Sequence, residues 1–243
     1  MGGNKDAKKQ ACKKLTMPLI IIPAFNEAET IVSVITAIRK RYRYPVLVVN
    51  DMSHDDTARL ASAAGARVLN LRAQLGAWGA TQTGVVYALK KGYTAVLTLD
   101  ADGQHEPDYI GDLLDQLDCG NDIVIGAYVE RCSRARHIAR YYFKILTGLQ
   151  IEDMTSGFRA YNFYAMQVIA SKQATLLDYQ DVGVLLMCRR AGLRISEVQT
   201  PMNLRFNGHS RVFYSWWVVM RYMVQTSILC LSQIGMPNTF QFR

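Results

Sequence analysis

"VLTLDADGQHEPDYI", Val96 to Ile110, is the stretch on which the reading of this chain turns. A mostly apolar run ends in Asp100 and Asp102, and Gln104, His105 and Pro107 follow closely. A short apolar run bounded by turn residues reads as a buried strand, which places both acids at its carboxyl end. Charge gathered at the end of a buried strand needs a partner, because an uncompensated carboxylate is costly to desolvate.

Working outward, the same alternation recurs. "LIIIPAF" (19–25) is a β-branched strand, and "AETIVSVITAIRKR" after it carries Ile31, Val34, Ile35 and Ile38 at helical spacing. "PVLVVN" precedes the helix-opening "SHDDTARLASAAG", "ARVLNL" precedes "GATQTGVVYALKKG", and "AVLTLD" precedes "EPDYIGDLLDQL"; "DIVIGAY" closes the series. Apolar strands separated by amphipathic helices predict an α/β fold, a mostly parallel sheet with helices on both faces and right-handed crossovers. Ligands of such sheets bind beyond the carboxyl ends of the strands, so "PAFNEA", Asn50-Asp51 and Asp100-Ala101-Asp102 converge on one cleft. Beyond about Ser133 the alternation weakens. "ARHIARYYFKILTGL" reads as a helix, "TSGFRAYN" as a loop entering a strand, "DVGVLLMCRRAG" as a helix capped by Gly192, and "RISEVQTPMNLRF" as extended chain.

The chain has 243 residues, half of them apolar, which suits one large domain. Its five cysteines are odd in number and include no C-x-x-C pair, which argues against a disulfide framework and a structural zinc site and favours a reducing, cytoplasmic setting. The formal charge is +8, concentrated at Lys5 to Lys14 and again at Arg131 to Lys144. Such runs attract phosphate-rich partners or are solvated faces. No helix-turn-helix, zinc finger or aromatic RNA-binding signature accompanies them, so no nucleic-acid partner is expected. Neither a secretory signal nor a myristoylation motif is read at the N-terminus.

Asp100 and Asp102, two residues apart, present both carboxylates to one site if the backbone is extended. Like charges so close resist joint ionisation unless a cation intervenes. Mg²⁺ or Mn²⁺ fits, with Gln104 adding a neutral oxygen; the alternative is an acidic loop that caps the next helix. Asp51 is placed to accept hydrogen bonds from a ribose or base, whereas Asp55, Asp56 and Thr57 read as helix caps. Asn26 and Glu27 are expected to begin a helix whose amides favour anions. Gly76, Gly79 and Gly84 suit either a close approach of backbone to ligand or a tight helix entry, since no dinucleotide or Walker pattern surrounds them.

In order, "IIIPAFNEAETI", "VVNDMSHDDT", "LGAWGATQTG", "LTLDADGQHEP", "DMTSGFRAYN" and "RFNGHSR" resemble the inverting glycosyltransferases of family two, in particular the dolichol-phosphate mannose synthase and polyprenyl-phosphate glycosyltransferase branch. The resemblance implies a GT-A fold over residues 18–211, a UDP- or GDP-linked sugar as donor, and Mg²⁺ or Mn²⁺ as cofactor. It implies that Pro23, Ala24, Asn26, Glu27, Asp51, Gly79, Asp100 and Ala101 bind the nucleotide-sugar, and that Asp100, Asp102 and Gln104 ligate the metal. Asp181 and Asp153 are then rival general bases, and Arg131, Ser156, Arg159, Arg205 and Arg211 line the acceptor side. Trp78 departs from the glycine or basic residue usual in that branch.

The expected acceptor is a polyprenyl or dolichyl phosphate, in keeping with cell-envelope glycan synthesis. The alternatives are a glycan hydroxyl, or a non-catalytic subunit that only binds the nucleotide-sugar. The basic tail (1–17) and an amphipathic segment (212–243) suggest peripheral membrane contact or a homo-oligomer contact. The apolar part of that segment, Trp216 to Leu231, is shorter than the roughly 20 residues that cross a bilayer.

Overall fold

The computed structural model describes residues 17–128, 148–177 and 182–202, together with Tyr141, Tyr142, Lys144, Val224 and Ser227. The expected order appears: β1 (Leu19–Ala24), α1 (Ile31–Arg41), β2 (Val46–Asn50), α2 (Thr57–Ala63), β3 (Arg67–Asn70), α3 (Gly76–Lys90), β4 (Ala95–Thr98), a short 3-10 turn at Pro107–Tyr109, α4 (Ile110–Asp118) and β5 (Ile123–Ala127). There follow β6 (Arg159–Asn162), α5 (Phe163–Ile169), α6 (Lys172–Thr175), α7 (Val182–Arg190) and β7 (Ile195–Gln199). The strands form one seven-stranded sheet in the order β3-β2-β1-β4-β6-β5-β7.

Alternate strand residues feed opposite faces, as a period of two requires. Ile21, Leu47, Val49, Val96, Ile125 and Tyr161 pack with α3, α5 and α7 on one face. Ile20, Ile22, Val48, Leu97, Val124 and Ala160 pack with α1 and α4 on the other. α1 buries Ile31, Val34, Ile35 and Ile38, and α4 buries Ile110, Leu113, Leu114 and Leu117. Each set lies on one stripe of its helix, which is why these segments form where the periodicity placed them.

The sheet is mixed, because β6 is antiparallel to both β4 and β5 while the remaining pairings are parallel. That reversal positions the site. Arg159, the first residue of β6, pairs with Thr98, the last of β4. The "DMTSGF" loop that enters β6 therefore lies at the carboxyl end of β4, beside the aspartates. Gly84 gives α3 its seat, since an added Cβ there would come 2.6 Å from Cγ2 of Ile21.

Two local expectations need correction. α1 begins at Ile31, not at Asn26, because the amides of Asn26, Glu27 and Ala28 are taken by Ser53 Oγ, Thr57 Oγ1 and Asp55 Oδ2. Asn26 itself has φ of 54°, a left-handed conformation that asparagine tolerates better than most residues. β4 ends at Thr98, and Gly103 with φ of 74° turns the chain. Asp100 and Asp102 are thus presented by a turn and not by strand alternation.

Candidate active site

The carboxyl ends of β1, β2 and β4 are tied to one another. The Asp51 amide donates to Ala24 O (2.9 Å), and the Leu99 amide donates to Ile21 O (3.2 Å). The loop after β2 is fastened to the loop after β1, with the His54 amide on Asn26 Oδ1 (2.8 Å). Pro23, Ala24, Asn26, Glu27, Asp51, Asp100, Ala101 and Asp102 are accordingly gathered along one edge. Gly79 stands apart from that set, inside α3, where a Cβ would meet Leu75 Cβ at 2.6 Å; its lack of a side chain has a packing reason.

Asp51 is 2% exposed, and its two carboxylate oxygens accept the amides of Leu75 (2.7 Å) and Gly76 (2.8 Å). Its charge therefore faces the N-terminus of α3, where the helix dipole favours an anion. Trp78, which departs from the family pattern, is buried, and its indole donates to Ala174 O at 2.9 Å.

Asp100 lies at the centre of the arrangement. A Cβ on Gly157 would fall 2.5 Å from Asp100 Oδ1, so glycine is what lets the "DMTSGF" loop touch the carboxylate. Thr98 Oγ1 donates to Gly157 O at 2.7 Å and fixes that contact. Asp100 Oδ2 is 3.1 Å from Nε2 of His105, whose ring stacks on Phe158 with centroids 5.2 Å apart. Burial alone would push the His105 pKa down, but the hydrogen bond to Asp100 and the fields of Asp100, Asp102 and Asp153 raise it above its ordinary value. His105 also forms an isolated antiparallel bridge with Met202.

Asp102 Oδ1 accepts the Gln104 amide (3.1 Å), which closes the turn. Asp100, Asp102 and Gln104 supply hard oxygen donors, the set that Mg²⁺ and Mn²⁺ prefer. Among the described residues no three His, Cys, Asp or Glu side chains are grouped to hold a metal by themselves.

In the loop that carries Gly157, Asp153 accepts from the Tyr128 amide (3.4 Å) and from the amide and hydroxyl of Thr155 (3.2 and 3.0 Å). Ser156 is buried and its Oγ accepts the Phe158 amide (3.2 Å). Arg159 is wholly buried; Nε donates to Ser156 O (2.8 Å) and Nη2 to Met154 O (2.6 Å). Beside it, burial pushes the Cys188 thiol up to about 12 against the opposing field of Arg159, so no thiolate neutralises the guanidinium. Arg131, Asp181, Arg205 and Arg211, also expected at the site, lie outside the described residues.

Three contributors escaped the sequence reading. His105 stands inside the acidic stretch, but nothing in that stretch marks its bond to Asp100. Gly157 read as part of a loop, without the contact that requires it. Glu197 accepts the Glu152 amide with both carboxylate oxygens (2.9 and 2.8 Å) and the Asp153 amide at 2.8 Å. A lone acid in the extended "RISEVQT" was its signal.

An α/β sheet with one reversed strand and a D-x-D turn facing a glycine-bearing loop defines a GT-A nucleotide-sugar enzyme fold. Residues 19–174 match the glycosyl transferase family 2. The chain belongs to that family and is a glycosyltransferase.

The undecaprenyl-phosphate mannosyltransferase of Micrococcus luteus is 31% identical over 212 residues, 80% of this chain and 86% of that one. The polyprenol monophosphomannose synthase of Mycolicibacterium smegmatis is 30% identical over 168 residues, 62% of this chain and 63% of that one. Among solved structures, glucosyl-3-phosphoglycerate synthase from Mycobacterium tuberculosis, in complex with Mn²⁺, UDP-glucose and phosphoglyceric acid, superposes with a TM-score of 0.70 at 22% identity. That likeness covers 98% of this chain and 86% of that one and bears on the fold.

The solved structures correct the narrower expectation. Placement in the polyprenyl-phosphate branch, with a lipid phosphate or a glycan as acceptor, is overturned by the fold's match to structures that hold phosphoglyceric acid. The physical reason is that one fold serves many acceptors, which are chosen by loops that differ within it. Among the described residues no helix is long and apolar enough to cross a membrane.

Proposed function

We propose that this chain transfers a hexose from a UDP-sugar to a hydroxyl of a small phosphate-bearing acceptor. One observation supports this reading above the others: the Asp100 carboxylate abuts Gly157, so the metal-binding turn and the loop carrying Asp153 form one continuous surface. A diphosphate bound at the turn and an acceptor hydroxyl at Asp153 would then be neighbours.

Asp102, Asp100 and Gln104 would hold a divalent cation, in agreement with the Mn²⁺ bound by glucosyl-3-phosphoglycerate synthase. When bound, the cation offsets the negative charge that builds on the leaving diphosphate. Asp51 fixes the start of α3 beside the nucleoside. Asp153 takes the proton of the acceptor hydroxyl as its oxygen bonds to the anomeric carbon, while the bond from sugar to diphosphate breaks and UDP departs. A hydroxyl acceptor needs such a base; from the sequence Asp181 is the first candidate and Asp153 its rival. Arg131, Arg205 and Arg211 are the cations proposed for the phosphates of donor and acceptor.

The test is incubation of the purified chain with Mn²⁺, a panel of labelled UDP-sugars, and either 3-phosphoglycerate or a short polyprenyl phosphate. Label in a water-soluble phosphorylated product supports the reading. Label that enters only the organic phase overturns the acceptor assignment, and no transfer from any donor overturns the reaction.

A further inference from the structure

We propose that Glu197 and Arg159 are positioning residues that hold the Asp153–Phe158 loop from opposite sides and so aim the Asp153 carboxylate at the acceptor hydroxyl. The inference rests on Asp153 as the base, and it assigns Arg159 to the protein's own backbone and not to a substrate phosphate.

The sheet register supplies the first observation. Ile125 of β5 pairs with Arg159 of β6 on one side and with Glu197 of β7 on the other. Residues in one row of a sheet point to the same face, so a cation and an anion flank Ile125 about 10 Å apart, two strand spacings. A slip of one residue in either strand would send its charge to the other face.

The loop crosses that row. Ile151 and Met154 pack into the apolar cluster that contains Ile125, which seats the loop over the sheet. Its entry then presents two amides, Glu152 and Asp153, to Glu197, and its far half presents two carbonyls, Met154 and Ser156, to Arg159. The charges match the dipoles they meet: the anion takes N–H groups and the cation takes C=O groups. Arg159 Nη1 is buried without a hydrogen-bond partner among the described residues, so the guanidinium is committed to the loop at a cost in desolvation. Carbonyls 154 and 156 need the fixed fork that arginine offers and lysine does not.

Between these two grips lies Asp153, held at its amide by Glu197 and braced at its carboxylate by Thr155 and the Tyr128 amide. A rotation of this backbone would swing the carboxylate off line, and a misplacement of about 1 Å can cost roughly 100-fold in rate.

The experiment compares Glu197→Ala, Arg159→Lys, Asp153→Asn and the double variant Glu197→Ala/Asp153→Asn. Glu197→Ala is expected to lower kcat about 10- to 100-fold, with the KM for the UDP-sugar changed less than about twofold. The double variant should be no slower than Asp153→Asn alone, because Glu197 acts through Asp153. Glu197→Gln keeps one oxygen for the amides and should restore most of kcat, which separates positioning from a folding defect. Multiplying losses in the double variant, or a donor KM that rises in step with the fall in kcat, would overturn the inference. If the unmodified chain transfers sugar to no acceptor, the proposed function has failed; hydrogen exchange then decides the clamp, which requires faster exchange of the Glu152 and Asp153 amides in Glu197→Ala than in the parent. Equal exchange would refute it.

Discussion

Asp100 Oδ2 and His105 Nε2 lie 3.1 Å apart, with the imidazole almost wholly buried and the carboxylate about half exposed, 2% against 46%. One end of the pair is held in the core against Phe158, and the other reaches the surface. The carboxylate offered to a cation is thus aimed from behind. His105→Phe would keep the stack and remove the bond. Mn²⁺ affinity, followed by the spin-resonance signal of the free ion, is expected to fall about 10- to 100-fold. Unchanged affinity would show that Asp100 needs no such support.

Gly157 is the point where the loop entering β6 touches the Asp100 turn. In Gly157→Ala the new methyl would meet Asp100 Oδ1 at 2.5 Å, and one of the two must move. Urea unfolding should register a loss of about 1–3 kcal/mol, and Mn²⁺ binding should weaken with it. A variant as stable as its parent that binds Mn²⁺ equally well would remove this contact from the account.

Asp51 joins the end of β2 to the start of α3 through two amides. Asp51→Ala leaves both amides without that charged acceptor at the start of α3, and a loss on the order of 1–3 kcal/mol is expected in thermal unfolding. UDP binding by calorimetry should weaken as well. Stability that falls while UDP binds as before would limit Asp51 to a structural role.

Asp55 offers a test in pH. Its burial raises the carboxyl pKa, but hydrogen bonds from the Thr57 side chain and the Thr57 and Ala28 amides outweigh this and leave it below 3.8. A group whose pKa is lowered by folding contributes stability above its unfolded pKa and loses it as pH falls through the folded value. Asp55→Asn should therefore be less stable than the parent at neutral pH, by under about 1 kcal/mol because the group is largely exposed. The gap should shrink below pH 3.8, the ordinary value. A gap that is constant with pH would exclude the carboxylate as its source.

The strand and helix order from Leu19 to Ala127 was legible because each element carries its own period: Ile31, Val34, Ile35 and Ile38 mark α1 without help from elsewhere. The position of Asp51, Asp100 and Asp102 just beyond the carboxyl ends of β2 and β4 was legible for the same reason, as each follows a buried strand. The reversal of β6 was not, since "RAYN" reads alike in either direction and only its pairing with Thr98 sets the sense. Glu197 and Arg159 acquire meaning only through Ile125, which lies 34 and 72 residues away from them in the chain (159 − 125 and 197 − 125). The sequence does not specify an acceptor, because contacts to it come from loop shapes that the strand and helix periods leave open.

The most direct test of the central claim, metal-dependent sugar transfer through the D-x-D turn, is a Mn²⁺ titration of UDP-glucose transfer to 3-phosphoglycerate by the parent and by Asp102→Asn. The account predicts transfer that requires Mn²⁺ in the parent and falls by roughly 100-fold or more in the variant, whose circular dichroism is unchanged. Equal transfer by the two proteins, or transfer in the parent that ignores Mn²⁺, would contradict it.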